Sequence, residues 1–346
     1  MTVPPDLYGR RGTDRMWRAF TKALSAFEFV TGFLPSTPPD RPVNDRRLSL
    51  VVRRVVVEAS DVVSVQLSTA DWSPLPSWQP GCHLDVELPS GIVRQYSLCG
   101  DPEDRFTYRI AVRRLGTGSQ AVHALSAGDV VSVRGPHNAF PFIRVPRYLF
   151  IAGGIGITPI LPMVRLAAAR GADWHFVYRG RSRESMPFLD EISALDAKRV
   201  WIRPDTEYGV PVSGAELLTK ALPDTQVYCC GPPPMIASVR VDRGTGLHYE
   251  RFSPPPIFDG HPFSVELRRS GTVLEVPADR SALDVVRDVK PSVAYSCRQG
   301  FCGTCRVGLL AGDVQHHDRV LTDDERQHSM TICVSRARHS RVVLDL

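Results

Sequence analysis

Cys297-Arg298-Gln299-Gly300-Phe301-Cys302-Gly303-Thr304-Cys305, followed later by Cys333, sets four thiols at the spacing C-x4-C-x2-C-x27-C. Two irons bridged by two sulfides need four thiolates. A C-x4-C-x2-C…C run supplies three of them from one wrapping loop, the plant-type [2Fe–2S] arrangement. Gly300 and Gly303 let the backbone come close and turn N–H groups toward sulfur. Phe301 stands between two ligands, where it can shield one side from water. Zinc is the competing reading, but zinc ribbons use paired C-x2-C knuckles and only one such pair occurs here. Four of the eight cysteines fall within these 37 residues, and in a reducing compartment such clustering points to metal rather than disulfides. Cys82 and Cys99 read as core thiols.

Working outward, two strands (263–268 and 272–276) and a helix (281–289) precede the cysteine loop, giving a small α+β domain over 261–346. Ser253-Pro254-Pro255-Pro256 opens a stiff, extended linker over 253–260. Before it, strands at 148–152, 174–178, 200–203 and 226–230 alternate with helices at 159–170, 188–195 and 214–222. That alternation means an α/β domain over 147–252, a parallel sheet covered on both faces. Between 47 and 146 the chain is strand after strand, at 48–57, 62–67, 83–88, 93–98, 106–113 and 129–133. Six short strands at this spacing suggest a small antiparallel β-barrel, interrupted by one helix at 119–125. Residues 1–46 form an extension. Met16, Trp17, Phe20, Leu24, Phe27 and Phe33 share roughly one face of a helix, which Pro35, Pro38, Pro39 and Pro42 stop. A docking or membrane-surface helix is one reading. Packing on its own protein is favoured, because Asp14 and Glu28 interrupt the stretch and no basic face builds up.

Composition narrows the function classes. A chain of 346 residues, 43% hydrophobic and 23% charged, has length for two or three globular domains. The net charge of +5 is modest, and its densest basic group, Arg179, Arg181 and Arg183, is too small to argue for nucleic acid. No uncharged apolar run reaches roughly 18 residues, so no transmembrane segment is expected. The N-terminus has no signal-peptide pattern. The expectation is a cytoplasmic monomer.

Three further motifs bear on chemistry. Gly153-Gly154-Ile155-Gly156-Ile157-Thr158-Pro159 follows a strand and opens a helix, so a pyrophosphate can approach backbone N–H groups there. It is not the G-x-G-x-x-G fingerprint, and a plain turn between strand and helix is the competing, less favoured reading. Cys230-Gly231-Pro232-Pro233-Pro234-Met235 ends what reads as the last parallel strand, at the carboxyl edge where such sheets bind ligands. Cys230 there can lie against a nicotinamide ring or serve as a buried structural thiol. In Arg94-Gln95-Tyr96-Ser97-Leu98, strand alternation puts Arg94 and Tyr96 on one face and Ser97 on the other. An arginine for phosphate and an aromatic ring for an isoalloxazine can be mounted this way, or the strand is simply exposed.

Taken in order with Gly116-Thr117-Gly118-Ser119, Gly135-Pro136-His137-Asn138-Ala139-Phe140 and Cys333-Val334-Ser335-Arg336-Ala337, these segments make residues 47–346 resemble the phthalate dioxygenase reductase family, within the ferredoxin–NADP reductase superfamily. The resemblance implies a flavin-binding barrel over 47–146, an NAD(P)H-binding domain over 147–252 and a β-grasp ferredoxin over 261–346. It implies that Arg94 and Ser119 hold the flavin phosphate and that Tyr96 and Ser97 contact the ring. Backbone groups of Ala111, Val112 and Arg113 would bind the pyrimidine edge with Thr158 nearby, and Gln95, Gly118 and Gln120 belong to the same site. Phe252, in Glu250-Arg251-Phe252, matches an aromatic beside the isoalloxazine. The dinucleotide would take Gly153, Gly154, Gly156, Arg181, Ser182, Cys230, Gly231, Pro232 and Met235. Phe252, Cys230 and Thr158 are the candidates for contact with the reacting rings, and Cys297, Cys302, Cys305 and Cys333 for cluster ligation. Family members with this ferredoxin typically hold FMN, so FMN is favoured over FAD. NADH is favoured over NADPH, although arginines at 179–183 can accept a 2′-phosphate. The implied activity moves hydride from NAD(P)H to FMN and single electrons through the cluster to a Rieske-type oxygenase or a cytochrome P450. Another haem or iron–sulfur carrier is the alternative acceptor. A zinc-stabilised binding module on a degenerate reductase scaffold is the reading from another class. The departure from the typical member is the 1–46 extension, which leaves the usual partner open.

Overall fold

The computed structural model describes residues 47–88, 93–209, 213–254, 257, 259–295 and 297–346. The 1–46 extension and its expected helix lie outside the described residues, as does part of the proline linker.

Strands β1 (Arg47–Ala59), β2 (Val62–Ser68), β3 (Cys82–Glu87), β4 (Val93–Ser97), β5 (Tyr108–Arg113) and β6 (Val130–Asn138) form a six-stranded antiparallel sheet ordered β4-β3-β6-β1-β2-β5. Its two ends meet beyond β4: Leu98 bridges Ile110, and the Cys99 N–H donates to the Arg109 carbonyl at 2.8 Å. The sheet therefore closes into the expected barrel. Alternation drives this, because Leu50, Val52, Leu84, Val86, Val131 and Val133 turn inward and are fully buried. Helix α1 (Thr117–His123) covers one end and buries Val122.

Next come β7 (Arg147–Gly153), α2 (Ile157–Ala169), β8 (Asp173–Gly180), α3 (Leu189–Ser193), β9 (Val200–Pro204), α4 (Asp205–Tyr208), α5 (Gly214–Leu217), β10 (Gln226–Cys230), α6 (Pro233–Arg243) and β11 (Leu247–Glu250). The strands are all parallel, in the order β11-β10-β7-β8-β9. Two sequence expectations need correction here. The strand ending at Cys230 is not the last of the sheet, because β11 lies beside it; with only Leu-His-Tyr-Glu, β11 has no apolar run to announce itself. The helix expected over 214–222 stops at Leu217. The Leu222 N–H goes to the Thr225 hydroxyl at 3.0 Å, which diverts the backbone from a helical ladder.

The C-terminal unit holds β12 (Phe263–Leu267), β13 (Thr272–Val276), α7 (Ala282–Val289), β14 (Arg306–Ala311), β15 (Val314–Gln315), α8 (Asp323–His328), β16 (Ser329–Thr331), β17 (Arg336–Ala337) and β18 (Arg341–Leu344). Five strands run β13-β12-β18-β14-β16, with β12 and β18 parallel, and β15 pairs separately with β17. Ser281 caps α7 by accepting the Asp284 N–H at 3.1 Å, and Ala282, Leu283, Val285 and Val286 bury its apolar face in the same core as the sheet.

Two buried charged groups shape this scaffold. Arg336 spans the start of the C-terminal unit, donating to the carbonyls of Arg280 (2.8 Å), His261 (2.8 Å) and Pro277 (2.9 Å) beneath the Phe263 ring. Replacing it leaves buried carbonyls without a donor. Arg336→Leu is expected to destabilise the C-terminal unit by about 3 kcal/mol, read as faster hydrogen exchange across 263–276. Glu250, at the end of β11, is buried and its Oε2 has no hydrogen-bond partner among the described residues. Burial pushes its carboxyl up to about 8. The folded state thus holds a proton that the unfolded chain, at the usual value of 4.5, releases. This contribution to stability is fully present below pH 4.5 and is lost as pH rises through about 8. Glu250→Gln should flatten that decline in thermal melts of flavin-free protein; an unchanged slope would count against a buried neutral carboxyl.

Candidate functional site

The barrel and the parallel sheet meet around a cavity of about 400 Å³. It is lined by Arg94, Gln95, Tyr96 and Ser97 from β4, Ala111, Val112 and Arg113 from β5, and Leu115, Gly116, Gly118 and Ser119 at the start of α1. Ile155, Thr158 and Phe252 complete it. The structure thus brings together fourteen residues drawn from Arg94 to Phe252, as strand adjacency and a capped helix start require. Gln120 is exposed and does not line the cavity. The strand alternation is visible in a modified form. Arg94 and Tyr96 line this cavity alone, whereas Gln95 and Ser97 also line a second one of about 60 Å³.

Local bonding fixes these side chains. The Ser119 hydroxyl accepts the N–H groups of Leu115 (2.7 Å) and Gly116 (2.9 Å), tying the loop to α1. Arg94 Nη1 donates to the Val93 carbonyl at 2.9 Å and to the Tyr295 hydroxyl at 3.3 Å. A Cβ on Gly118 would come within 3.1 Å of Arg94 Nε, so glycine leaves the guanidinium its place. Burial pushes the Tyr96 phenol up to about 12, so it remains a neutral hydroxyl. Phe252 is 51% exposed, large for an aromatic that lines a cavity. These walls suit a planar, mostly apolar ring carrying a phosphate.

The two glycine motifs pack against each other at the carboxyl ends of β7 and β10. A Cβ on Gly153 would meet Pro232 Cδ at 2.6 Å, one on Gly231 would meet Gly153 Cα at 3.0 Å, and one on Gly156 would meet the Cys230 carbonyl oxygen at 2.3 Å. Met235 is buried beside Gly153, while Gly154 adopts φ +53 and faces open space. Cys230 is wholly buried, and burial pushes its thiol well up. Arg181 and Ser182 follow β8 and do not line the ring cavity. Of the neighbouring arginines, Arg179 grips Asp205 with Nε at 2.9 Å and Nη2 at 2.7 Å, and Arg183 grips Glu207 at 2.6 and 2.9 Å. Arg181 has no side-chain partner among the described residues.

The four candidate cluster thiols come together two by two. Cys297 donates to Cys302 and Cys333 to Cys305, so within each pair the donor is pushed up and the acceptor held down, Cys302 at about 5. The charge of Cys297 also reaches Cys333 and that of Cys302 reaches Cys305, so the four thiols form one group. Backbone N–H groups also face sulfur: Gln299 N donates to Cys297 Sγ at 3.3 Å and Cys297 N to Cys302 Sγ at 3.4 Å. Gly300, at φ +78, has no room for a side chain, since a Cβ there would lie 2.6 Å from Val334 Cγ2.

Between the ring cavity and this loop lies the smaller cavity, lined by His83, Gln95, Ser97, Glu250, Arg251, Phe252, Cys297, Gln299 and Phe301. Gln95, Ser97 and Phe252 belong to both, so one layer of side chains separates ring site from cysteine loop. His83 is buried, and desolvation pushes its imidazole down to about 4; it stays neutral beside Gln95 Nε2 at 2.8 Å, which also donates to Asp85 at 3.0 Å. Sequence reasoning missed His83, Glu250 and Gln299, because isolated polar residues on a strand or in a loop carry no spacing signal. Glu250 stands two positions before Phe252, and only burial distinguishes it.

Residues 150–241 match the oxidoreductase NAD-binding domain family and residues 265–338 the 2Fe-2S iron-sulfur cluster binding domain family, which sets the zinc reading aside. Phthalate dioxygenase reductase of Burkholderia cepacia is 37% identical over 320 residues, covering 88% of this chain and 99% of the relative. The solved structure of a phthalate dioxygenase reductase, described as modular for electron transfer from pyridine nucleotides to [2Fe–2S], superimposes with a TM-score of 0.66 at 37% identity over 87% of this chain and 98% of that one. An intact type IV self-sufficient cytochrome P450 monooxygenase matches with a TM-score of 0.69 at 36% identity, again over 87% of this chain but 41% of that longer one. With its barrel, parallel sheet and cysteine-bearing unit all shared along nearly the full length of such relatives, the chain belongs to the phthalate dioxygenase reductase family.

Proposed function

We propose that this protein is the reductase component of an oxygenase system. It moves hydride from NADH onto FMN and delivers single electrons, through a [2Fe–2S] cluster on Cys297, Cys302, Cys305 and Cys333, to a Rieske-type oxygenase or a cytochrome P450. The observation that carries this reading is the shared wall: Gln95, Ser97 and Phe252 line both the ring cavity and the cavity touching Cys297. When bound, the flavin accepts two electrons as hydride and the cluster forwards them one at a time.

The chain's own residues orient these groups. Arg94 offers a guanidinium to phosphate, with Ser119 beside it. Tyr96 and Ser97 meet the ring, and the β5 backbone at Ala111, Val112 and Arg113 meets its polar edge. Phe252, half-exposed at the cavity, would cover the ring face and give way to nicotinamide. Gly153 to Gly156 leave backbone N–H groups open to pyrophosphate. FMN is favoured over FAD by the resemblance to reductases that carry a C-terminal ferredoxin. NADH is favoured because Asp205 and Glu207 already neutralise Arg179 and Arg183, leaving Arg181 as the one unpaired member of that trio among the described residues.

The experiment that tests the electron path is a split of two rates. Cys302→Ser is expected to abolish reduction of a protein acceptor while flavin bleaching by NADH in stopped flow stays largely intact; equal loss of both rates would overturn the path. For donor choice, Asp205→Asn releases Arg179 toward a 2′-phosphate. It should narrow the NADH-over-NADPH ratio of kcat/KM by about tenfold, and an unchanged ratio would remove Asp205 from the selection.

A further inference from the structure

Gln299 sits inside the loop that carries the first two cluster thiols, yet its side chain reaches out of it. Its Nε2 donates to the Arg251 carbonyl at 2.5 Å, across 48 positions of sequence, while its backbone N–H donates to Cys297 Sγ at 3.3 Å. Arg251 lies between Glu250, buried at the end of β11, and Phe252, which lines the ring cavity. One residue therefore touches a candidate cluster sulfur on one side and the segment bearing the flavin-facing aromatic on the other. A second tie between the cysteine-bearing unit and the ring-cavity walls runs from Arg94 to Tyr295, a longer contact at 3.3 Å.

We propose that Gln299 is a positioning residue for electron transfer between the two cofactors, a role that rests on the reading above. Its side-chain N–H locks the cysteine loop against the 250–252 segment and so fixes the gap that each electron crosses. No bond is made or broken at Gln299. The donor matters because the Arg251 carbonyl offers only acceptor lone pairs: a side chain of the same length that ends in a carboxylate faces it with acceptor against acceptor. Electron transfer falls off steeply with distance, so a small widening of that gap slows the step.

Gln299→Glu keeps shape and removes the donor; Gln299→Ala removes the side chain. In the full-length holoprotein, both should slow cluster reduction after flavin reduction severalfold in stopped flow, with flavin bleaching by NADH left essentially unchanged. Hydrogen exchange should rise together in peptides covering 247–254 and 297–301. The cluster's electron paramagnetic resonance lines should not move, because the Gln299 backbone N–H to Cys297 is retained. Cluster reduction at the wild-type rate in Gln299→Glu overturns the proposal. So do shifted resonance lines with unchanged exchange, which would make Gln299 a tuner of the cluster rather than a tie. Wild-type protein in which NADH bleaches the flavin but never reduces the cluster defeats the electron path itself, whereas the exchange measurement still reports whether Gln299 holds the 250–252 segment.

Discussion

The cysteine-bearing unit has to present its loop to the ring cavity across a gap that a single side chain spans, and this requirement governs the molecule. The junction is residues 250–252. Strand β11 brings Glu250 into the interior, Phe252 turns outward along the ring cavity, and the carbonyl between them receives Gln299 from the cysteine loop. Barrel strand β4 supplies the opposite wall through Gln95 and Ser97. The cysteine-bearing unit has an apolar cluster of its own, whereas Val62, Cys99, Ala111 and Phe140 of the barrel side share one with the parallel sheet, so it is the cysteine loop that this junction presents to the ring cavity.

The alignment of barrel and parallel sheet rests on charge as well as on apolar burial. Arg109 of β5 forks onto Glu191 of α3 at 2.6 and 3.0 Å, and Arg165 of α2 reaches the same carboxylate. Arg109 also donates to the Cys99 carbonyl at 2.8 Å and lies over the Phe188 ring. Burial works to raise the Glu191 carboxyl, but its hydrogen bonds to the two guanidinium groups outweigh burial and hold it below the usual range. A buried ion pair of this kind adds little net stability against an apolar substitute, yet removing one partner strands the others. Its value lies in geometry: the pair accepts one relative placement of β5 and α3, and β5 is the strand that lines the ring cavity.

Much of this was legible in the sequence. The barrel was written in the alternation of residues such as Val131 and Val133, and the parallel sheet in apolar runs such as Leu149, Phe150 and Ile151. The cysteine spacing was the most specific signal of all, because coordination by four thiolates tolerates few arrangements. The β11 strand escaped because four mixed residues carry no period. The early end of α5 escaped because a threonine three residues ahead captured a backbone N–H that a helix would have used. In the site, residues sharing a strand could be grouped by alternation, whereas His83, Glu250 and Gln299 owe their importance to neighbours far away in sequence. Likewise the arginines at 179 and 183 read as free cations until Asp205 and Glu207, brought alongside by the parallel pairing of β8 and β9, were seen to occupy them.

The position of β18 has a bearing on biogenesis. It lies at the centre of the C-terminal sheet, between β12 and β14, although it is made after every one of the four candidate cluster thiols. During vectorial synthesis β12 and β14 emerge with no strand to join them, so the core beneath Cys305 and Cys333 cannot close while translation is still upstream of residue 341. The thiols thus pass through a period in which they are made but unsheltered. Sheltering of the thiols belongs to the stage after β18 has paired.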